Sequence, residues 1–239
     1  MTSPKPDFGL FKTVDAWIFD LDNTLYPRHT DLFKQVDQKI SEYVSRLLKI
    51  AHEDARVLQK GYYKRYGTTL RGLMIEHQID PDDFLQYVHD IDHSWVDPDP
   101  DLGRAIKSLP GRKFIFTNGS HSHAVKVAER LGITDHFDDI FDIVAADLMP
   151  KPNQETYDKF IARTGIDPLR AAMFEDLHRN LIVPHGLGMV TTLVVPRGAG
   201  EVFHEEWEAE GAAEPHVGYV TDHLANFLHD VLKVLKAKA

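Results

Sequence analysis

Two carboxylates, Asp20 and Asp22, stand directly behind an apolar run in the stretch WIFDLDNTLYP, residues 17–27. Burying charge is costly unless something compensates for it. A hard cation such as Mg²⁺ would do so, because it takes oxygen ligands and keeps positions for water and a substrate phosphate. A carboxylate can also attack as a nucleophile while a second one nearby serves as general acid and then general base. The fragment fits a plain turn as well, with Asp22, Asn23 and Thr24 bonding their own backbone. A calcium loop of the EF-hand type does not fit. Counted from Asp20, the sixth position is Leu25 where glycine is required, and the twelfth is Asp31 where a bidentate glutamate is usual.

Three more groups lie at the ends of similar runs. Thr117, Asn118, Gly119 and Ser120 follow KFIF and lead into a helical pattern; a hydroxyl with backbone N–H groups at a helix N-terminus suits an anion. Lys151-Pro152 opens the next helix, where a lysine can neutralise a phosphoryl oxygen. Glu175 and Asp176 follow AAMF, and acids from two strand ends can converge on one cation. Taken singly, each of these also reads as ordinary helix capping. The pair His121 and His123 does not point to a transition metal, because residues two apart on a helix face different ways.

Such residues meet only if the scaffold gathers strand ends. The runs AWIFD, KFIFT, FDIVAA, AAMF and TTLVV read as buried strands. Helical patterns separate them: 120–131 stops at Gly132, and 153–164 starts after Pro152 and stops at Gly165. That alternation predicts right-handed crossovers and an α/β, doubly wound parallel sheet, in which ligands bind beyond the carboxyl ends of the strands. Residues 28–96 break the alternation, with helical patterns only. These are 31–50, where Leu32, Val36, Ile40, Tyr43, Val44 and Leu47 share a face, then 52–66 and 81–91. The expected organisation is a core of residues 1–27 and 97–239 carrying an all-helical insertion of residues 28–96. The acidic, glycine-containing segment 197–216 reads as an exposed excursion, and 222–236 as a closing helix.

Composition limits what this core could serve. The chain of 239 residues has ordinary fractions of hydrophobic (43%) and charged (27%) residues, as expected of a globular protein. It has no cysteine, which excludes disulfides, a thiol nucleophile and thiolate metal sites. A formal charge of −10 opposes binding to nucleic-acid polymers, whose phosphates are held by lysine and arginine. No long apolar segment suggests a leader or a membrane span, so a cytoplasmic protein is expected.

In this order, the four groups resemble the motifs of the haloacid dehalogenase (HAD) superfamily. Asp20, Asp22 and Thr24 match the first motif, Thr117 the second, Lys151 the third, and Glu175 and Asp176 the acidic fourth. The resemblance implies a Rossmann-like core with a helical cap, and a Mg²⁺-dependent phosphoric monoester hydrolase. It implies that Asp20 attacks phosphorus to form an aspartyl phosphate, while Asp22 protonates the leaving oxygen and later activates water. Mg²⁺ would be held by Asp20, the backbone carbonyl of Asp22 and Asp176, with Glu175 in support; Thr117, Asn118 and Lys151 would position the phosphoryl group. The dehalogenase branch lacks the second aspartate, so Asp22 speaks for phosphate rather than halide.

A narrower resemblance is to the pyrimidine 5′-nucleotidase group, carried by FDLDNTLYP, YYKRYGTTLRGL, FTNGSHSHA and FEDLHRNL. Leu177 stands where that group carries serine, whereas Asn180 is kept. The small phosphorylated partner implied is a nucleoside monophosphate, with a phosphosugar as the alternative. A non-catalytic phosphate- or partner-binding protein is a reading of another class. Tyr62, Tyr63, Tyr66, Arg65 and Arg71 could stack on or bond a base, or simply pack the insertion. Arg28, His29 and His123 complete the expected substrate-facing set. Oligomeric state is not legible.

Overall fold

The computed structural model describes residues 7–196 and 212–237. Among these, six strands form one sheet, parallel throughout, in the order β3-β2-β1-β4-β5-β6. They are β1 (Ala16–Phe19), β2 (Arg112–Phe116), β3 (Asp139–Phe141), β4 (Ala171–Glu175), β5 (Val190–Val194) and β6 (Tyr219–Thr221). β1 lies at the centre, Ala16 pairing with Arg112 on one side and Ala171 on the other. All four of its residues are buried, which is why it reads as an unbroken apolar run rather than an alternating one. The strand order reverses beside β1, so Asp20 and Asp22 emerge at the switch point of the sheet.

Apolar clusters cover both faces of the sheet. On one, Phe11, Trp17, Phe19, Ile115 and Phe174 pack against α5 (Pro100–Ser108), α6 (His121–Leu131) and α9 (Leu224–Lys236). Phe19 and Phe174 stack with ring centroids 4.7 Å apart, fixing β1 against β4 just below the carboxylates. On the other face Ile18, Phe116, Phe141 and Met173 meet α7 (Gln154–Thr164) and α8 (Ile182–Gly186). The helices start and stop where the sequence indicates: the Ser120 hydroxyl accepts from His123 N–H to cap α6, and Gly132 ends it in the left-handed region.

Between β1 and β2 the chain forms helices only, and four of them precede α5: α1 (Leu32–Leu48), α2 (His52–Tyr66), α3 (Thr69–His77) and α4 (Pro81–Val88). They enclose an apolar cluster of their own, including Val36, Val44, Tyr62, Leu73 and Phe84. α3 is not marked by sequence periodicity. It forms because Thr68 caps it, accepting from Arg71 N–H, and because Gly72 lets it lie directly on α2. A Cβ at Gly72 would fall 2.6 Å from Cβ and Cγ of Tyr62.

Other expectations need correction. The run 141–146 is not a strand beyond Phe141: the Asp142 carboxylate accepts from Ala145 N–H and His121 N–H, which bends the chain away into a turn. Leu47 is exposed rather than on the buried face of α1. α5 and the three-residue β6 were not marked by the sequence runs. Most of the expected excursion, residues 197–211, lies outside the described residues.

Gly72→Ala should separate α2 from α3. Urea denaturation should show a loss of about 1–3 kcal/mol, the usual cost of overpacking, against Gly61→Ala as control, where an added Cβ meets nothing within 4 Å.

Candidate active site

Four segments ending at the carboxyl edge of the sheet meet around Asp20. The Lys151 ammonium, 1% exposed, donates to Asp20 Oδ1 at 2.8 Å, Glu175 Oε1 at 2.6 Å and the Phe116 carbonyl at 2.7 Å. It therefore joins the ends of β1, β2 and β4. Burial works against the charged ammonium, but Asp20 and Glu175 outweigh it and hold its pKa above the ordinary lysine value. Asn118 clasps the backbone of the same residue: its Oδ1 accepts from Lys151 N–H at 2.8 Å, and its Nδ2 donates to the Lys151 carbonyl at 3.3 Å. The Asn118 carboxamide thus acts on the Lys151 backbone, while Asn118 also lines the cavity described below. Thr117, buried behind Asp20, accepts from Gly119 N–H and forms the turn into α6.

The acidic residues fall into two environments. Asp20, Glu175 and Asp176 offer oxygens that all lie within 4.8 Å of one another. Burial first, and then Glu175, push Asp20 up to about 7. Burial, Glu175 and Asp20 raise Asp176 well above its ordinary value, although Arg28 Nη2 donates to its Oδ2 at 3.1 Å. Asp22 is held apart from this group. Its Oδ1 accepts from Tyr26 at 2.5 Å and from His123 Nε2 at 2.9 Å. Burial would raise Asp22, but His123 and Tyr26 outweigh it and bring its pKa below the usual carboxylate range. Thr24 donates to Asp20 Oδ2 at 3.1 Å.

Residues 14–182 match the family described as haloacid dehalogenase-like hydrolase. The chain belongs to that family. The chain is also 29% identical over 199 residues to Phosphate metabolism protein 8 of Saccharomyces cerevisiae, an alignment covering 75% of this chain and 61% of that protein. It thus spans about three fifths of the length of that curated relative. Among solved structures, L-2-haloacid dehalogenase from Xanthobacter autotrophicus superposes with a TM-score of 0.58 at 17% identity, over 95% of this chain and 100% of that one. A HAD phosphatase from Thermococcus onnurineus gives 0.55 at 17% identity, over 93% and 98%. At such identities the likeness speaks for the fold alone.

The residues around Asp20 fit a divalent cation. Around the carboxylate triplet the cations Lys151 and Arg28 face three acids, which leaves one negative charge over before any phosphate enters. Asn180 donates to Glu175 Oε1 at 2.7 Å, while its buried Oδ1 has no protein partner and could accept from water on such an ion. The raised values of Asp20 and Asp176 belong to this uncompensated cluster, and a dication beside them reverses the sign.

A cavity of about 180 Å³ opens between this edge and the inserted helices. Asp20, Asp22, Thr117, Asn118, Lys151, Glu175 and Asp176 line one end; Phe33, Val36, Ile40, Leu70, Phe84 and Leu85 line the other. Of the aromatic residues expected to face substrate, Tyr63 lines the cavity, with the Arg179 guanidinium 4.2 Å from its ring centre. The others do not. Tyr62 bonds His77, Tyr66 bonds Glu76, and Arg65 lies over the Tyr66 ring, so these three pack the helices, and Arg71 does not line the cavity either. His29 is exposed outside the cavity, Arg28 is turned to Asp176, and His123 is fully buried behind Asp22. The sequence reading missed Tyr26, Phe33, His89 and His93; the only trace of the last two was their four-residue spacing at the end of a helical pattern.

Two outcomes follow from this electrostatics. Lys151→Met leaves Asp20 and Glu175 buried without their counter-ion and should cost about 3–5 kcal/mol in urea denaturation. The loss should be larger near pH ~8 than below pH ~6, where protonation of Asp20 relieves the repulsion. Mg²⁺ should raise the thermal midpoint of the wild type. Because Asp20, near 7 without the ion, must give up its proton to serve as ligand, the shift should grow from pH ~5.5 to ~8 and then level off.

Proposed function

We propose that this chain is a cytoplasmic Mg²⁺-dependent phosphomonoesterase that hydrolyses nucleoside 5′-monophosphates, pyrimidine ones foremost, through an aspartyl phosphate. One observation carries the reading: two carboxylates two residues apart sit in opposed settings. Asp20 lies among Lys151, Glu175 and Asp176, whereas Asp22 is held by His123 and Tyr26. A nucleophile must be anionic when it attacks, which Lys151 and a bound dication would favour for Asp20 against the burial that raises it, and a proton carrier needs a separate support. A leaving halide needs no proton, so a supported Asp22 favours an oxygen leaving group.

In the first step, which Asp22 must enter protonated, an Asp20 oxygen bonds phosphorus, the ester P–O bond breaks, and the departing oxygen takes its electron pair and the proton of Asp22. In the second, Asp22 takes a proton from water, the hydroxide oxygen bonds phosphorus, and Asp20 leaves as carboxylate with inorganic phosphate. Lys151 keeps Asp20 anionic and aimed, and Thr117 with the N-terminal turn of α6 faces the phosphoryl oxygens. Asp20, the Asp22 carbonyl and Asp176, with Glu175 behind them, would hold Mg²⁺, which would supply neutralisation of the charge spread over those oxygens. Residues 28–96 act as the cap, whose closure excludes water.

The nucleotide assignment is supported by the resemblance of the sequence to the nucleotidase group and by the cavity wall. Phe33, Tyr63 and Phe84 offer ring faces, and Asp37, Gln59 and Lys60 offer a polar edge. The yeast relative's name, a phosphate metabolism protein, accords with phosphate release.

Phosphate release from UMP, CMP, dUMP, AMP, GMP and several phosphosugars, with Mg²⁺ and with chelator, checks this. Pyrimidine monophosphates should be turned over best. Chelator and Asp20→Asn should each bring release to background, and Asp22→Asn should slow it by roughly 10²–10⁴. Preference for phosphosugars would move the substrate assignment to the alternative class; phosphate binding without turnover would overturn the enzymatic reading.

A further inference from the structure

Behind Asp22 lies a chain of histidines that the proposed chemistry does not itself use. His123 Nε2 meets Asp22 Oδ1 at 2.9 Å, His123 Nδ1 meets His93 Nε2 at 3.1 Å, and His93 Nδ1 meets the Ile91 carbonyl at 3.1 Å. The chain has an acceptor at each end, a carboxylate and a carbonyl, so all three contacts are hydrogen bonds only when the two rings hold three N–H protons between them. Neither ring can turn over without placing a carbon where a nitrogen is needed.

His123 is held on its face as well. The His89 ring stacks on it with centroids 4.6 Å apart, and His89 Nδ1 is anchored by the Leu85 carbonyl at 2.9 Å and Ser120 Oγ at 3.0 Å. His123 has 0% exposure, and His89 and His93 are buried at 7% and 9%. Three imidazoles, two of them from the segment that leads from α4 back to the sheet, are thus packed behind one aspartate.

The contacts converge on a single oxygen. Tyr26 and His123 both donate to Asp22 Oδ1, which leaves Oδ2 for a reacting group, and Asp22 lines the cavity. We propose that His123 is a positioning residue for Asp22, fixed by His93 and His89, whose task is to hold that carboxylate in line with the leaving oxygen. This rests on the phosphomonoesterase reading and assigns the residue that makes its acid–base step effective. His123 reaches the reaction only through Asp22; substrate recognition is not its task.

A positioning role in proton transfer has a signature that a structural role lacks. An alkoxide leaves poorly without a proton, whereas p-nitrophenolate leaves readily. Weakening Asp22 should therefore penalise alkyl esters selectively, and kcat/KM, which includes the bond-breaking step, should report it.

The test compares wild type, His123→Leu, His123→Gln and His93→Leu on p-nitrophenyl phosphate and on the alkyl monophosphate that the wild type turns over best. For His123→Leu, kcat/KM on the alkyl ester should fall roughly 10–100-fold more than on p-nitrophenyl phosphate. His123→Gln, whose amide N–H can replace Nε2–H, should recover most of that difference. His93→Leu touches Asp22 only through His123 and should show a smaller selective loss; it carries the test if His123→Leu does not fold. Equal losses on both substrates, or no loss in either leucine variant, overturn the positioning role while leaving the phosphatase reading intact. A wild type that releases phosphate from neither ester overturns both.

Discussion

The site is built around the ion pairing of one ammonium. Two carboxylates from neighbouring strands, Asp20 and Glu175, could not be buried side by side without a cation between them, and Lys151 supplies it from a third segment. The third donor position takes the Phe116 carbonyl, so the same nitrogen closes the carboxyl end of β2 as well. Asn118 fixes the Lys151 backbone from both sides, and the Phe116 ring lies 5.1 Å from the ammonium. Few positions for the lysine satisfy all of these contacts. The geometry of the nucleophile is therefore set by charge pairing in a dry site, where each such bond is stronger than it would be in water.

Asp22 is positioned by other means. It is only two residues from Asp20, yet its partners are a phenol and an imidazole rather than an ammonium. Separating the supports keeps the two acids from competing for one counter-charge, and it allows their protonation to be tuned independently. The arrangement joins the catalytic edge of the sheet to the segment after α4, because the rings that steady His123 come from there.

Much of this was legible in the sequence because each part had a local signature. Buried parallel strands show as short apolar runs, and helix ends show as Pro152, Gly132 and Gly165. The family motifs place Asp20, Asp22, Thr117, Lys151, Glu175 and Asp176 at strand ends, and the structure gathers all six around one cavity. What could not be read depends on packing. α3 owes its place to the missing Cβ of Gly72, a contact with no periodic trace. Tyr62 and Tyr66 have the composition of a binding surface, but they meet His77 and Glu76 within the helices instead. His93 and His89 lie 30 and 34 positions from His123, so nothing in the local pattern ties them to Asp22.

β1 and β2 are hydrogen-bonded neighbours, yet residues 20–111 intervene between them. The entropy of closing such a loop grows only with the logarithm of its length, about 0.6 kcal/mol for each doubling. The register that sets the end of β1, and so Asp20, beside the ends of β2 and β4 is written into the strands, whereas the intervening helices add mainly a small closure term. Lineages of this fold are thus free to lengthen, shorten or replace the part between Arg28 and His89, changing which molecules fit above the carboxylates while the machinery below stays the same.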